Sequence, residues 1–390
     1  MNILRRAIFT LSTNQKLPWV QILFETLRKN NPECDLVLGL VDRQADFRYP
    51  ENCTILNVEE LGLPDQNHFL FRYNAFNLCT AVKPYFFEHL FKMGYESIIY
   101  FDSDIAVFNS LDRYFALMEN GADFVVTPHF LEPVTAADQP DEVAILLHGT
   151  FNLGFIGIRN SSTAVPIVRW WARMLEHNCV TMIEEGVFAD QKFIDLVPSF
   201  TSRYVIIRDP GANYAYWNMS RRLVKSVNGE FFVNDSVLMF CHFSGFDLNN
   251  PAKLSAYGAN NHPEDDAGLN ALISWYDSNL RRLNAHTYVA PPYAFDRFAS
   301  GTIITDKTRE NFRRSSYDRN TNPFKDISLE DGSRQLEPRS PPVAGHNSTL
   351  ADTREHLLFA LKELDTRTHH AHSLLMEIED LKAKLARYEQ

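Results

Sequence analysis

Between residues 5 and 209 the chain alternates short, continuously apolar runs with stretches of helical periodicity. That alternation confines it to a sheet buried on both faces by helices, because a strand read as an unbroken apolar run has no face to give to water. The runs RRAIFTL (5–11), DLVLGLVD (35–42), CTILNV (53–58), SIIYFDSDIAVF (97–108), DFVVTPH (123–129), FNLGFIGIR (151–159) and RYVIIRD (203–209) predict strands. Helical spacing runs from Trp19 through Ile22, Leu23 and Leu27 to Lys29, over residues 72–93 with an interruption at Pro84, and over 164–177. The expected fold class is α/β with a largely parallel sheet. In such folds ligands bind beyond the carboxyl ends of the strands.

The chain is long enough for two to three domains at about 150 residues each, and its 29 Phe and 15 Tyr can fill a substantial core. A net charge of −11 argues against nucleic acid as the partner, since neutralising phosphates needs surplus Lys and Arg. The five cysteines (Cys34, Cys53, Cys79, Cys179 and Cys241) are scattered without a CxxC, so neither a disulfide framework nor a zinc ribbon is expected. No apolar stretch reaches the ~18 residues of a membrane span, and the opening MNILRRAIFTLSTNQ has no signal-peptide pattern. The expected location is the cytoplasm, at the inner face of the membrane if the association is peripheral.

Composition shifts near residue 298. Residues 1–298 are expected to form the main domain and residues 299–350, polar and proline-containing, a flexible linker. Residues 351–390 are expected to form a helix whose 3–4 spacing, Leu357, Leu361, Leu364, Thr368, Ala371, Leu375, Ile378, Lys382 and Leu385, suits a short coiled coil and a homo-oligomer. A helix folded back on the main domain is the alternative.

The chemistry concentrates where an apolar strand runs into Asp102-Ser103-Asp104. Two carboxylates at a strand end can converge on one hard divalent cation, Mg²⁺ or Mn²⁺, that keeps positions for phosphate oxygens. A solvated strand-end turn is the plain alternative. Phosphatases with an aspartyl nucleophile also carry a DxD, but their motif needs a hydroxyl where this chain has Ala106.

FDSDIAVF, then FNLGFIGIR, then ADQKF, then CHFSG occur in an order that resembles the GT-A-fold nucleotide-sugar glycosyltransferases. The likeness is to family 8, the glycogenin and lipopolysaccharide-galactosyltransferase type, and covers about residues 5–250. It implies a GT-A (Rossmann-like) domain. It also implies a nucleoside-diphosphate sugar as donor and a saccharide or lipid-linked molecule as acceptor. Asp102, Asp104 and His242 become ligands of Mn²⁺ (or Mg²⁺), while Asp190, Gln191 and Asn152 face the donor sugar. Thr10, Ser12, Asn14 and Ser103 are placed against the nucleotide, and Lys83 where the family often has an Arg that reaches the donor. The family's late KPW run is missing, which leaves Lys253, in NNPAKLSAY, as the nearest counterpart, with Arg221 and Arg222 as rival cations for the diphosphate. Tyr214, Tyr216 and Trp217 offer flat faces to a sugar or pack in the core. The resemblance implies a metal-dependent, retaining transfer, and the expected setting, from the missing signal and membrane-span patterns, is surface polysaccharide synthesis on the cytoplasmic side. Asp190 acting as general base would instead permit inversion. A nucleotidyltransferase that makes sugar nucleotides and a non-catalytic scaffold are the rival readings. The first would show a Gly- and Arg-rich loop after the opening strand, where this chain has LSTNQKLPW.

Overall fold

The computed structural model describes residues 5–46, 48–133, 142–182, 186–257 and 266–332. In chain order come β1 (Arg6–Ser12), α1 (Leu17–Asn30), β2 (Asp35–Leu40), β3 (Thr54–Asn57), α2 (Gln66–Arg72), α3 (Ala75–Ala81), α4 (Lys83–Lys92), β4 (Ser97–Phe101), β5 (Ile105–Val107), α5 (Asp112–Glu119), β6 (Phe124–Pro128), α6 (Glu142–His148), β7 (Phe151–Arg159), α7 (Ala164–Asn178) and α8 (Gln191–Ile194). Later come α9 (Ala267–Arg282), α10 (Asp306–Arg314) and α11 (Ile327–Glu330).

The central sheet has seven strands, ordered as the strand Tyr204–Ile206, β6, β7, β4, β1, β2 and β3. All its pairings are parallel except those of β7, which runs antiparallel to both β4 and β6. This is the mostly parallel α/β sheet expected of a GT-A domain. Side-chain alternation divides the core into two layers. Phe9, Ile98 and Tyr100 point to the layer built with Phe86, Phe87 and Trp171. Ile8, Ile99 and Phe101 point to the layer built with Leu23, Phe24 and Phe115.

Three local expectations change. The run 97–108 is two strands rather than one, because the chain turns at Asp102–Asp104 and β5 leaves the main sheet to pair with the strand Phe240–His242. The segment 72–93 holds α3 and α4, with Pro84 in the first turn of α4, where its missing N–H costs nothing. The expected linker is ordered over residues 299–332, within the same compact unit as the sheet. Buried Arg309 donates to the carbonyls of Phe71, Tyr73 and Phe295 at 2.6, 2.7 and 2.5 Å. Phe298, Phe312 and Leu329 close over Phe71. A few well-placed apolar side chains and one guanidinium hold a segment whose average composition is polar. The expected coiled coil lies outside the described residues.

Candidate active site

Strand register assembles the site. β4 stops at Phe101, and the turn that follows is held by the Asp102 N–H donating to the Gly154 carbonyl at 2.8 Å and the Ile105 N–H donating to Asp102 at 3.2 Å. β5 then pairs antiparallel with Phe240–His242, so that His242 lies opposite Ile105 and the Phe243 N–H donates to the Asp104 carbonyl at 2.9 Å. Two segments 138 positions apart in sequence (104 and 242) thereby meet. His242 Nε2 stands 3.1 Å from Asp104 Oδ1 and 3.7 Å from Asp102 Oδ2. Ligand atoms of the three residues lie within 4.8 Å of one another, the one such cluster of at least three His, Cys, Asp or Glu found among the described residues.

A second layer fixes the orientation of His242. The Gly154 N–H donates to Asn152 Oδ1 at 3.1 Å, which identifies that atom as the amide oxygen. His242 Nδ1 lies 3.2 Å from the same oxygen and must therefore carry a proton. Nε2 is left facing the two carboxylates, and three electron-rich atoms at that spacing call for a positive charge between them. Either a proton on Nε2 or a divalent cation satisfies this, so the donor set fits a metal of the Mn²⁺ or Mg²⁺ class. Burial disfavours charge on His242. Even so, the charge and hydrogen bond of Asp104, with Asp102 beyond, hold its pKa above the ordinary value. Asp104 is likewise held below the usual carboxylate range by His242, against the effect of burial.

Behind Asn152, Asn213 donates to its Oδ1 at 3.0 Å and to Thr127 Oγ1 at 2.8 Å, and buried His129 lies 3.4 Å from Asn152 Nδ2. Burial pushes the His129 pKa down to about 4, so it is neutral and accepts the amide proton. Gly154 leaves room for the ring: a Cβ there would sit 2.5 Å from His242. β7 reaches this position through an irregularity opposite Val126 and Thr127, which sets Asn152 across from Thr127.

The other carboxylate has a different setting. Asp190 and Lys83 are both buried, with Nζ 2.6 Å from Asp190 Oδ2. Lys83 also donates to the Leu153 carbonyl at 3.0 Å and lies 4.2 Å from the centroid of the Tyr100 ring. Tyr100 in turn donates to Asp102 Oδ1 at 2.5 Å. Burial raises the pKa of Asp190, and Lys83 counteracts it. Asp190 occupies the cap position of α8, but its carboxylate makes no capping bond. Ala189 before it has φ of +44°, a left-handed conformation held by its N–H donating to Val180 at 2.9 Å. Gln191 accepts from the Leu153 N–H and donates to His148.

The site opens onto one cavity of about 1100 Å³, whose walls include Lys83, Asp102, Ser103, Asp104, Asn152, Asp190, Gln191 and His242. These eight of the residues singled out from the sequence are thus brought together. Thr10, Ser12 and Asn14 are buried away from it. Tyr288 donates to the Asn14 carbonyl at 2.8 Å, and the Ala294 N–H donates to Asp42 Oδ1, whose other oxygen accepts from the Asn14 N–H. The chain after α9 therefore covers this loop. Lys253 is exposed and does not line the cavity. Tyr214 belongs to the core, whereas Tyr216 and Trp217 face the cavity. Arg221 and Arg222 line a separate pocket. Sequence reading missed Lys16 and Trp19 on the cavity wall and the supporting His129 and Asn213. The first two sit beside the expected nucleotide loop, but the last two carry no spacing signal.

The chain is similar in sequence and fold to several known proteins. A profile of the family described as nucleotide-diphospho-sugar transferase matches residues 41–231. The uncharacterised protein YfnD of Bacillus subtilis (strain 168) is 26% identical over 263 residues, spanning 66% of this chain and 81% of YfnD. Among solved structures, the galactosyltransferase LgtC in complex with donor and acceptor sugar analogues superposes with a TM-score of 0.42 at 13% identity, covering 73% of this chain and 97% of LgtC. Mouse xyloside xylosyltransferase 1 gives 0.38 at 13%, over 61% and 97% of the two chains. The glycosyltransferase GlyE of Streptococcus pneumoniae TIGR4 gives 0.38 at 12%, over 76% and 67%. On the sequence match over residues 41–231, the chain resembles the nucleotide-diphospho-sugar transferases, in keeping with its likeness to family 8 of the GT-A-fold glycosyltransferases.

Proposed function

We propose that the protein moves a sugar from a nucleoside-diphosphate sugar to a saccharide or lipid-linked acceptor, in a metal-dependent reaction that retains the anomeric configuration. The observation that carries this reading is the convergence of Asp102, Asp104 and His242 in the cavity that also holds Asp190 and Gln191. Those three residues would hold the cation, and an imidazole beside two carboxylates suits Mn²⁺ better than Ca²⁺. When bound, such an ion offsets the negative charge that grows on the departing diphosphate.

The chain's own residues are assigned as follows. Ser103 meets the nucleotide, joined by Lys16 and Trp19, which line the cavity where Thr10, Ser12 and Asn14 do not. Asp190 and Gln191 hold the hexose, and Tyr216 and Trp217 supply flat faces for pyranose rings. Lys83 acts through Asp190 and not on the donor directly, since its ammonium already lies against that carboxylate. The same pairing supports retention, because Lys83 occupies an Asp190 oxygen that a general base would have to turn toward the incoming hydroxyl. In the retaining course the C1–oxygen bond to the diphosphate breaks. The acceptor oxygen bonds to C1 on the same face, and its proton passes to the leaving phosphate oxygen.

Surface polysaccharide synthesis is the proposed setting. Among the described residues no helix is long and apolar enough to cross a membrane. Self-association through residues 351–390 is proposed from the sequence pattern alone, and light scattering of a chain ending near residue 340 tests it. For the activity, a panel of sugar nucleotides is incubated with Mn²⁺ or with EDTA and a mixed saccharide pool, and the anomeric protons of products are read by NMR. Transfer only with metal, with the donor's configuration kept, is expected. Metal-independent transfer or an inverted product would contradict the proposal.

A further inference from the structure

Trp217 stands between two spaces. It lines the cavity of the triad, with its ring perpendicular to that of His242 at 5.3 Å, and it also walls a second pocket of about 170 Å³. That pocket is too small for a nucleotide donor, given the roughly 300–1,000 Å³ that a drug-sized ligand occupies. Ser220, Arg221 and Arg222 contribute to its wall.

Arg222 is the unusual group. It is 4% exposed, and only its Nη1 is engaged, donating to the carbonyls of Pro210 and Ala212 at 3.2 and 2.9 Å. Among the described residues it forms no ion pair. Glu132, itself part of the pocket wall, pairs with Arg221 at 3.7 Å, and its charge and that of Asp209 reach Arg222 without an ion pair. A guanidinium remains cationic in almost any protein environment, so this is a buried charge whose remaining N–H groups lack a protein acceptor. Such a charge is costly unless an anion joins it. A guanidinium fork matches carboxylate and phosphate oxygens in shape as well as charge.

The loop that presents Arg222 is also tied to the candidate active site. Asn213 bonds to Asn152, Asn218 donates to the Asn213 carbonyl at 2.9 Å, and Trp217 lies between these two asparagines in sequence, five residues before Arg222. A molecule anchored at Arg222 and passing Trp217 would reach the space beside His242. We infer that this pocket holds an oxyanion group of the acceptor, a carboxylate or a phosphate, and that the acceptor is therefore an acidic saccharide. The inference rests on the glycosyltransferase reading above.

The test titrates the full chain, by calorimetry, with methyl glucoside, methyl glucuronide and glucose 6-phosphate. At least one acidic probe is expected to bind about tenfold or more tightly than the neutral glucoside, and whichever does so identifies the anion. Arg222→Met should abolish the preference. Because that change also removes two carbonyl contacts, Ser220→Asp serves as the second variant. It sets a carboxylate in the pocket and leaves Arg222 and its bonds in place, so it should abolish the preference while binding of UDP or GDP with Mn²⁺ is unchanged. Equal binding of all three probes, or a preference that survives in Ser220→Asp, overturns the inference and leaves the glycosyltransferase reading intact. An acidic preference in a wild-type chain that binds no nucleotide overturns both.

Discussion

The protein places carboxylates in two contrasting environments within one cavity. Asp102 and Asp104 are about one-third exposed and face a histidine, whereas Asp190 is 5% exposed and lies against an ammonium. The same functional group is thus open to a cation at one end and already neutralised at the other. The two ends communicate through buried side chains, since Tyr100 donates to Asp102 and packs against Lys83, which holds Asp190. What the contrast teaches is that sequence proximity to a site does not set a carboxylate's role. Its counter-charge does.

If the open pair and not the neutralised one holds the metal, Asp104→Asn should lower transfer by about 10³-fold or more, the scale seen when a transition-state charge loses its stabiliser. Initial rates at saturating Mn²⁺ measure this, and a residual rate near wild type would break the comparison.

The neutralised end should matter most for stability. Lys83→Met leaves a buried carboxylate unpaired and is expected to cost about 3–5 kcal/mol in urea unfolding. Adding Asp190→Leu should restore much of it, and additive losses would contradict the pairing. Burial raises the Asp190 pKa above its unfolded value. Its contribution is therefore present below the ordinary carboxylate range and is lost as pH rises through the folded pKa. Lys83→Met should steepen that decline.

Gly154→Ala sharpens the first end. A Cβ 2.5 Å from the His242 ring forces ring or strand to move, at about 1–3 kcal/mol. Mn²⁺ titration should show weaker binding with Asp102 and Asp104 untouched. The smallest effect is expected for Ala189→Gly, which relieves a left-handed φ and should stabilise by up to about 1 kcal/mol. The accompanying rise in KM for the donor reports how far that strain orients Asp190.

Much of this was legible in the sequence, and the exceptions have physical causes. Continuous apolar runs mark strands covered on both faces, so the sheet emerged strand by strand. Asp102 and Asp104 stood out as a carboxylate pair at a strand end, whereas His242 was reached only through the family resemblance of the CHFSG run. Lys83 was found, but its partner was not, since nothing local in AVKPYFF says that its ammonium meets Asp190 across the fold. Thr10 and Ser12 are buried within β1, and Asn14 is covered by the chain after α9 through contacts between residues more than 250 positions apart. The ordered stretch 299–332 was missed because average polarity hides Arg309, Phe312 and Leu329, the few side chains that dock it. His129 and Asn213 support the site through hydrogen bonds that no periodicity announces.

One measurement bears on the central claim most directly: calorimetric titration of the protein with UDP and GDP, with and without Mn²⁺, in wild type and Asp102→Asn. Nucleotide binding that appears only with the ion, and vanishes in the variant while its melting curve stays that of wild type, is the predicted result. Equal binding with the ion removed, or in Asp102→Asn, would mean that the carboxylates at the end of β4 do not hold the metal that holds the donor.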